Sequence, residues 1–379
     1  MAGLLTLLEP GKEVLAQGLD ERFGPAYRRF QDGEAPLIFG AARLGRSFLH
    51  HLTRIGVRPL AFCDSDAGKW GTIIEGLPVL SPEQLLGEHR DSLVLVASLT
   101  FESEICDFLA ANGVKSVLPL VYLNHKRPEV FVSSEYQGSF DYLFLDPTRK
   151  QLEELWTLLA DDESRRVLEK LVTFRISFDK RLIRQARSSA PQYFEPGVVR
   201  LTKEEVFVDC GGYIGDTLEE FLREVNGCFT RAYVFEPDSE NFRRLRARTA
   251  GLDPARVVLV ASGVYDRTGE VGFAASGSTD ARVTLGQRCQ IPIVALDEFF
   301  VGREVPTFIK MDIEGAERQA IAGARRTISE HKPRLALSAY HYANDLWEIP
   351  MLVKSLNPDY RLYLRHYTNE ILDTVCYAC

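Results

Sequence analysis

A glycine-rich turn in the second half of the chain carries the residues best suited to bind a ligand. Asp209 ends an apolar run, and Gly211, Gly212 and Gly215 follow it before a predicted helix. Glycines let a backbone come close to a ligand, and a helix N-terminus offers free N–H groups. Glu236 ends the next predicted strand, where a carboxylate can accept hydrogen bonds from both hydroxyls of a ribose. The spacing therefore predicts a site for a ligand that contains a ribose.

Strands and helices that alternate over the last half of the chain must position this turn. The predicted strands are residues 206–208, 231–236, 257–261, 306–312, 333–341, 360–366 and 374–377. Such alternation predicts a parallel sheet with crossover helices, and the last two strands predict an antiparallel hairpin. This order is the pattern of class I methyltransferases, whereas NAD-binding Rossmann domains normally lack the terminal hairpin.

Three motifs in this half resemble those of the FkbM family of S-adenosylmethionine-dependent O-methyltransferases. They are DCGGYIGDT (209–217), VFEPD (234–238) and IKMDIEGAERQAIAGA (309–324). The resemblance covers residues from about 200 to 379, and the third motif is the most specific. The chain departs from the family at Gly212 and Tyr213, where alanine and asparagine are more frequent. Since Gly212 is also small, we expect cofactor binding to be retained.

The resemblance implies S-adenosyl-L-methionine as cofactor and a role for each matching residue. Asp209, Gly211, Gly212 and Gly215 would line its methionine and ribose part, and Glu236 would hold the ribose hydroxyls. Ser262, after the third strand, would lie beside the adenine. Asp312 ends the fourth strand, where methyltransferases of this fold place groups that face the methyl donor.

Methyl transfer to a hydroxyl needs a base, and four residues are candidates for it. His341 and His366 lie at the ends of C-terminal strands, and a neutral histidine suits proton abstraction near pH 7. Asp312 or Glu314 could do the same, or could bind a divalent cation that acidifies a sugar hydroxyl. In the alternative interpretation, these carboxylates pair with Lys310 and only shape the turn.

The first half of the chain predicts a second, smaller α/β domain. Gly40 to Gly45 fits a dinucleotide fingerprint only in part, because Ala42 replaces the middle glycine, and Asp64 ends the second strand. The segment resembles the small Rossmann-like domains that precede sugar-modifying enzymes, which implies a nucleotide or nucleotide-sugar ligand. A domain that only positions a substrate or partner is the alternative.

The sequence thus predicts an α/β protein with three parts. Residues 1–125 form a Rossmann-like domain with an N-terminal helical segment, residues 126–195 a mainly helical connector, and residues 196–379 a class I methyltransferase fold. Its sheet is predicted to have seven mostly parallel strands and a terminal antiparallel hairpin. The predicted function is O-methylation of a sugar, glycan or nucleotide-sugar hydroxyl. A nucleotide-sugar oxidoreductase and a catalytically inactive binding or scaffold protein are the alternatives.

Composition excludes several classes of partner and location. With 45 basic and 53 acidic side chains the net charge is −8, so the protein has no general attraction to nucleic acid. No apolar stretch is long enough to span a membrane, and the N-terminus lacks the basic region of a signal peptide. Seven scattered cysteines suit a reducing compartment, and a cytoplasmic location is expected. The expected partner is a small-molecule or glycan acceptor, and a homo-oligomer is compatible with the sequence.

Overall fold

The computed structural model describes residues 11–98, 101–127, 143, 145–274, 282–283 and 290–379. The chain divides into two compact units. The first comprises Met1–Lys150 with Glu169–Ala186, and the second comprises Gln151–Leu168 with Arg187–Cys379. The segment predicted as a connector, residues 126–195, is therefore divided between the two units.

The first unit contains a six-stranded sheet in the order β3-β4-β2-β1-β5-β6. Its strands are β1 (Leu37–Phe39), β2 (Ala61–Cys63), β3 (Ile73–Ile74), β4 (Leu77–Leu80), β5 (Val94–Val96) and β6 (Val117–Pro119). Its helices up to residue 126 are α1 (Gly11–Gln31), α2 (Arg43–Arg54), α3 (Pro82–Glu88), α4 (Glu102–Ala111) and α5 (Leu120–Lys126). All pairings are parallel except that of β3 with β4. The sheet agrees with the predicted alternation of strands and helices.

The β3–β4 hairpin was not predicted from the sequence. Its two turn residues, Glu75 and Gly76, have φ angles of 50° and 82°. Two positive φ values are typical of the tight hairpin turn that matches the twist of its strands. Glutamate seldom takes this conformation, so the sequence carries no turn signal at Glu75 beyond the glycine that follows it.

Three helices cover most of residues 146–186, where the sequence predicted helix and no strand. They are α6 (Asp146–Leu158), α7 (Asp162–Ser177) and α8 (Arg181–Ala186). Within the second unit, Ser164 Oγ accepts a hydrogen bond from Leu364 N at 3.0 Å, and Asp161 Oδ2 lies 2.7 Å from the Arg365 guanidinium. These contacts attach the first turns of α7 to the sheet of that unit.

The second unit is built on a seven-stranded sheet in the order β16-β17-β15-β14-β7-β8-β9. Its strands are β7 (Val206–Cys210), β8 (Arg231–Phe235), β9 (Val257–Val260), β14 (Phe308–Met311), β15 (Arg334–Ser338), β16 (Leu362–His366) and β17 (Thr374–Ala378). β17 is antiparallel to both β15 and β16, and the other pairings are parallel. The predicted class I methyltransferase fold with its terminal hairpin is confirmed.

Helices cover the faces of this sheet, and aromatic rings fill one interface. They are α9 (Asp216–Glu224), α10 (Ser239–Arg248), α11 (Leu296–Phe299), α12 (Glu317–Gly323) and α13 (Asp345–Leu356), with a π-helical turn at Thr327–His331. The Phe207 ring stacks on the Phe221 ring at 4.4 Å and lies 5.3 Å from the Phe308 ring. This buried cluster ties α9 to β7 and β14, the elements that lead into the glycine-rich turn and into Asp312.

A second, four-stranded sheet between β9 and β14 was also not predicted. It has the order β10-β13-β11-β12, with β10 (Gly263–Val264), β11 (Gly269–Ala274), β12 (Arg282–Val283) and β13 (Gln290–Val294). Among the described helices none is long and apolar enough to cross a bilayer. The six cysteines within the described ranges are free thiols, whereas Cys289 lies outside them.

Candidate functional site

A cavity of about 240 Å³ lies where the carboxyl ends of β7, β8 and β14 meet. Four of the residues predicted for the site line it: Gly211, Glu236, Asp312 and Glu314. Strands of the small sheet contribute Gly263, Val264, Ile291 and Ile293. The cavity therefore combines a candidate ribose-binding carboxylate with carboxylates at the end of β14.

The glycine-rich turn packs directly against the end of β14. Gly211 N and Gly212 N donate to Phe235 O at 3.0 and 2.9 Å, which fixes the turn to the end of β8. Gly211 has a φ of +86°, and a Cβ there would lie 1.9 Å from Asp312 O. Only glycine fits this position, because both the backbone conformation and the space exclude a side chain.

Backbone N–H groups hold the Glu236 carboxylate at the cavity wall. Tyr213 N donates to Oε2 at 2.8 Å, and Asp238 N donates to Oε1 at 2.9 Å. Burial raises the pKa of Glu236 to about 7, although both hydrogen bonds favour the charged form. Each oxygen keeps acceptor capacity beyond its one hydrogen bond, so the carboxylate can also take hydroxyl donors.

Asp209 and Lys310 form a buried ion pair on adjacent strands. The register of β7 and β14 places them side by side, with Lys310 Nζ 2.9 Å from Asp209 Oδ1. Burial raises the pKa of Asp209 to about 6, against the opposing effect of the Lys310 charge. Lys310 Nζ also donates to Gly211 O at 2.7 Å and lies 5.2 Å from the centre of the Tyr193 ring. Asp209 is fully buried and does not line the cavity. It therefore acts on the glycine-rich turn only through Lys310.

Two tyrosines hold the Asp312 carboxylate. Tyr193 donates to Oδ2 at 2.7 Å, and Tyr340 donates to Oδ1 at 3.0 Å. Burial acts to raise the pKa of Asp312, but the nearby charges of Lys310 and His341 outweigh it and lower the pKa. Asp312 is therefore an ionised, oriented carboxylate at the cavity wall.

His341 is enclosed by carboxylates. Its Nδ1 lies 3.2 Å from Glu317 Oε1, and its Nε2 lies 3.5 Å from both Asp312 Oδ1 and Glu314 Oε2. Burial disfavours the imidazolium, yet the three carboxylates, Glu317 foremost, raise the pKa of His341 to about 10. A histidine that already holds its proton cannot accept another near pH 7. This geometry does not suit the neutral general base expected from the sequence.

The similarity of this part of the chain to known proteins agrees with its geometry. Residues 209–371 match the family model of the methyltransferase FkbM domain. The crystal structure of methyltransferase FkbM from Methylobacillus flagellatus KT is 27% identical, covers 99% of this chain and 98% of that chain, and superposes with a TM-score of 0.75. Residues 209–371 are therefore similar to a methyltransferase FkbM domain. The family and the fold support methyl transfer as the reaction of this protein.

Other comparisons add little to this assignment. An rRNA methylase from Streptococcus thermophilus is 16% identical over 47% of this chain and 87% of that chain, with a TM-score of 0.31. UDP-D-quinovosamine 4-dehydrogenase from Vibrio fischeri is 30% identical over 23% of this chain and 76% of that chain, with a TM-score of 0.20. At these TM-scores neither similarity bears on function. No curated protein sequence matches the chain.

Several residues predicted for the site lie outside the cavity lining. Ser262 is buried and its Oγ donates to Pro292 O at 3.0 Å, although the adjacent Gly263 does line the cavity. His366 is fully buried in β16, with Nδ1 2.9 Å from Thr374 Oγ1, and burial lowers its pKa to about 4. Gly212 and Gly215 pack against hydrophobic side chains of β8 and α10. We therefore do not assign His366 to the chemistry.

The sequence did not point to four residues that the second unit brings to the site. Gln192, Tyr193 and Asp373 line the cavity, and Glu317 contacts His341. Tyr193 and Asp373 have φ angles of 71° and 63°, and Gln192 Nε2 donates to Asp373 Oδ1 at 3.3 Å. Burial raises the pKa of Asp373 to about 6. Only Glu317 lies within a family motif, so only Glu317 could have been found from the sequence.

In the first unit, Asp64 is engaged by its own loop. Its Oδ2 accepts from Ala41 N at 2.8 Å and from Lys69 Nζ at 3.0 Å, and its Oδ1 accepts from Asp66 N at 2.9 Å. Through these hydrogen bonds the Asp64 carboxylate stabilises the turn after β1. The predicted nucleotide ligand of this unit stays a prediction.

Proposed function

We propose that the protein transfers a methyl group from S-adenosyl-L-methionine to a hydroxyl of a sugar, in a glycan or a nucleotide sugar. The supporting observation is that Glu236 and Asp312, at the ends of two strands, line one cavity. One carboxylate is placed to hold a ribose and the other to receive a proton. Similarity to the FkbM domain family supports the methyl-transfer part of this proposal.

The chain's own residues fit the cofactor. Glu236 presents acceptors for ribose hydroxyls, and Gly211 leaves backbone exposed beside it. Asp216 and Thr217, at the N-terminus of α9, also line the cavity and suit the amino and carboxylate groups of a methionine. The acidic wall favours a positively charged ligand. When bound, S-adenosyl-L-methionine supplies an electrophilic methyl group on a sulfonium.

Asp312 is the residue that we assign to the acceptor hydroxyl. Tyr193 and Tyr340 fix its carboxylate, and the Lys310 charge keeps it ionised. It can accept the hydrogen bond of the hydroxyl, align its oxygen with the methyl group, and take the proton as the oxygen–carbon bond forms. Glu314 lies beside it and gives a further acceptor for a polyol.

The charge around the cavity supports an uncharged sugar ring as acceptor. Within the described lining, Lys310 is the one basic side chain, whereas Asp216, Glu236, Asp312, Glu314 and Asp373 are acidic. Such a wall disfavours a phosphate next to Asp312. The Tyr193 ring offers an apolar face, and carboxylates accept from hydroxyl donors, which together suit a sugar.

Titration calorimetry with S-adenosylhomocysteine tests the cofactor site. The wild type should bind with micromolar affinity, and Glu236→Ala should bind at least tenfold more weakly because the ribose hydroxyls lose their acceptor. Glu240→Ala is the matched control, since Glu240 is exposed and bonds Arg243 on the surface of α10. No binding by folded wild type, or equal affinity in all three proteins, would overturn the proposal.

The acceptor is tested by transfer of a labelled methyl group. Labelled S-adenosyl-L-methionine is incubated with free sugars, glycans and nucleotide sugars, and the products are checked for O-methyl groups by mass spectrometry. Asp312→Asn should retain S-adenosylhomocysteine binding and lose most of the transfer rate. Product with a methyl group on nitrogen or carbon would contradict the assignment to a hydroxyl.

A further inference from the structure

Three carboxylates surround the imidazole of His341. Asp312, Glu314 and Glu317 approach one imidazole, whose side chain is 5% exposed. The imidazole contributes at most one positive charge against three negative ones. Glu317 is the fully buried carboxylate of the three, whereas the Asp312 and Glu314 side chains are each 23% exposed. A buried charge is costly unless it is paired and hydrogen-bonded.

The neighbouring basic side chains have other ion-pair partners, although the charge of Lys310 also acts on Asp312. Lys310 pairs with Asp209 at 2.9 Å. The Arg318 guanidinium bonds Asp345 at 2.7 Å and also contacts Glu348. Neither forms an ion pair with Glu317 among the described contacts.

Among the residues that the structure describes, the buried imidazole of His341 has no well-aligned hydrogen-bond partner. Both ring nitrogens of His341 are inaccessible, and the carboxylate oxygens at 3.2–3.5 Å are not aligned to accept from them. A buried polar side chain without a hydrogen bond is unusual in a folded protein, and a site for an ion is one accepted explanation. This observation is independent of the acidic residues around it.

We propose that Asp312, Glu317 and His341 bind a divalent cation. One ligand atom from each residue lies within 4.8 Å of the others, so small side-chain movements could bring them around a single ion. The ion would displace the proton that the metal-free imidazole carries, and one imidazole nitrogen with two carboxylate oxygens suits a first-row divalent cation such as Mn²⁺. Three ligands leave coordination positions open, and Asp312 places the ion at the cavity wall.

The ion would act on the acceptor. In an open position it binds the acceptor hydroxyl and lowers the pKa of that hydroxyl, which assists proton loss to a carboxylate. Glu314 stands beside the ion as a further ligand or as an acceptor for a neighbouring hydroxyl. This role depends on the proposed methyl transfer, whereas the binding of the ion does not.

Electron paramagnetic resonance of Mn²⁺ tests the site on the full chain. Metal-free protein is titrated with MnCl₂, and the signal of free Mn²⁺ gives the bound fraction. One ion per chain is expected, with affinity at least tenfold weaker in His341→Asn and in Glu317→Gln. His331→Asn and Glu330→Gln are the matched controls, because both residues are exposed on the π-helical turn and should leave the affinity unchanged.

Pulsed measurements on the wild type make the test independent of variant folding. A ¹⁴N coupling to bound Mn²⁺ would show an imidazole ligand and support the site even if both variants fail to fold. Bound Mn²⁺ without nitrogen coupling, no saturable binding by the wild type, or unchanged affinity in folded His341→Asn would overturn it. S-adenosylhomocysteine affinity measured with and without EDTA reports separately on the proposed methyltransferase site.

Discussion

Glu236 makes cofactor binding depend on pH in a defined direction. Burial raises its pKa to about 7, and hydroxyl donors from a ribose would favour the ionised form. We expect the affinity for S-adenosylhomocysteine to rise about tenfold from pH 6 to pH 8, because about a tenth of Glu236 is ionised at pH 6 and most of it at pH 8. Calorimetry in two buffers of different ionisation enthalpy should show proton release at pH 6 and little at pH 8.

The variant Glu236→Gln separates this effect from other titrations. This variant should bind S-adenosylhomocysteine weakly, with an affinity that does not change between pH 6 and pH 8.

The raised pKa of Glu236 has the opposite effect on the stability of the fold. Between the unfolded pKa near 4.5 and the folded value near 7 the folded state binds more protons, so this group's contribution to stability falls as pH rises. Glu236→Gln should therefore gain stability relative to the wild type at pH 8, and a pH-independent affinity in the wild type would contradict the assignment.

We expect Tyr193 to act on the acceptor side of the site and not on cofactor binding. Its hydroxyl donates to Asp312 Oδ2, and a hydrogen bond to a charged group contributes about 1.5–3 kcal/mol. Tyr193→Phe should lower the single-turnover rate of methyl transfer by about tenfold or more. Affinity for S-adenosylhomocysteine should be unchanged.

A matched variant checks that this effect comes from the hydroxyl at Asp312. Tyr342→Phe removes the hydroxyl of a tyrosine that is 53% exposed, so its rate should equal that of the wild type. Equal rates in Tyr193→Phe and the wild type would show that Asp312 needs no hydrogen bond from this residue.

At the scale of elements, the turn between β7 and α9 is fixed by steric exclusion. Gly211→Ala places a methyl group 1.9 Å from Asp312 O in a left-handed backbone conformation. Gly227 is the control, since its φ of +69° is similar but nothing lies within 4 Å of its Cβ position. Gly227→Ala should cost about 1 kcal/mol from backbone strain alone, and Gly211→Ala about 1–3 kcal/mol more from the forced shift of β14.

Urea denaturation measures both free energies of unfolding. Because the shift also moves the carbonyl of Asp312, folded Gly211→Ala should have lost methyl transfer, whereas Gly227→Ala keeps it. Equal destabilisation by the two substitutions would show that the turn can move away from β14.

The same elements show how far the sequence could predict the site. The strand, turn and helix around Asp209 follow from residues adjacent in the chain, and the alternation of strands and helices predicted a mostly parallel sheet with a terminal hairpin. Tyr193 reaches Asp312 across 119 residues, and Gln192 reaches Asp373 across 181. Tyr193 and Asp373 both have positive φ angles, and no local sequence pattern of tyrosine or aspartate predicts this conformation. For a similar reason the sequence could not show that His341 holds its proton near pH 7. The carboxylates of Glu317 and Asp312 approach it only in the folded chain.

At the scale of the whole molecule, each of the two units is formed by two separate segments of the chain. Residues 151–168 belong to the second unit, and residues 169–186 to the first. Asp161 and Ser164 contact β16 from a segment that the sequence places before the methyltransferase fold. A boundary at residue 196 would therefore remove contacts that the C-terminal sheet uses, and ligand assignment is better tested on the full chain.

Ligand-dependent melting of the full chain identifies which unit binds. S-adenosylhomocysteine at about 100 times its dissociation constant should stabilise the second unit by about 2.7 kcal/mol and raise its melting transition. Glu236→Ala, which should bind at least tenfold more weakly, should be stabilised by at most about 1.4 kcal/mol at the same ligand concentration. NAD should leave every transition unchanged, because the Asp64 carboxylate is already bonded by Ala41, Asp66 and Lys69. A shift with NAD would establish a dinucleotide site in the first unit and favour an oxidoreductase, whereas no shift with either ligand would favour a scaffold protein and contradict the proposed methyl transfer.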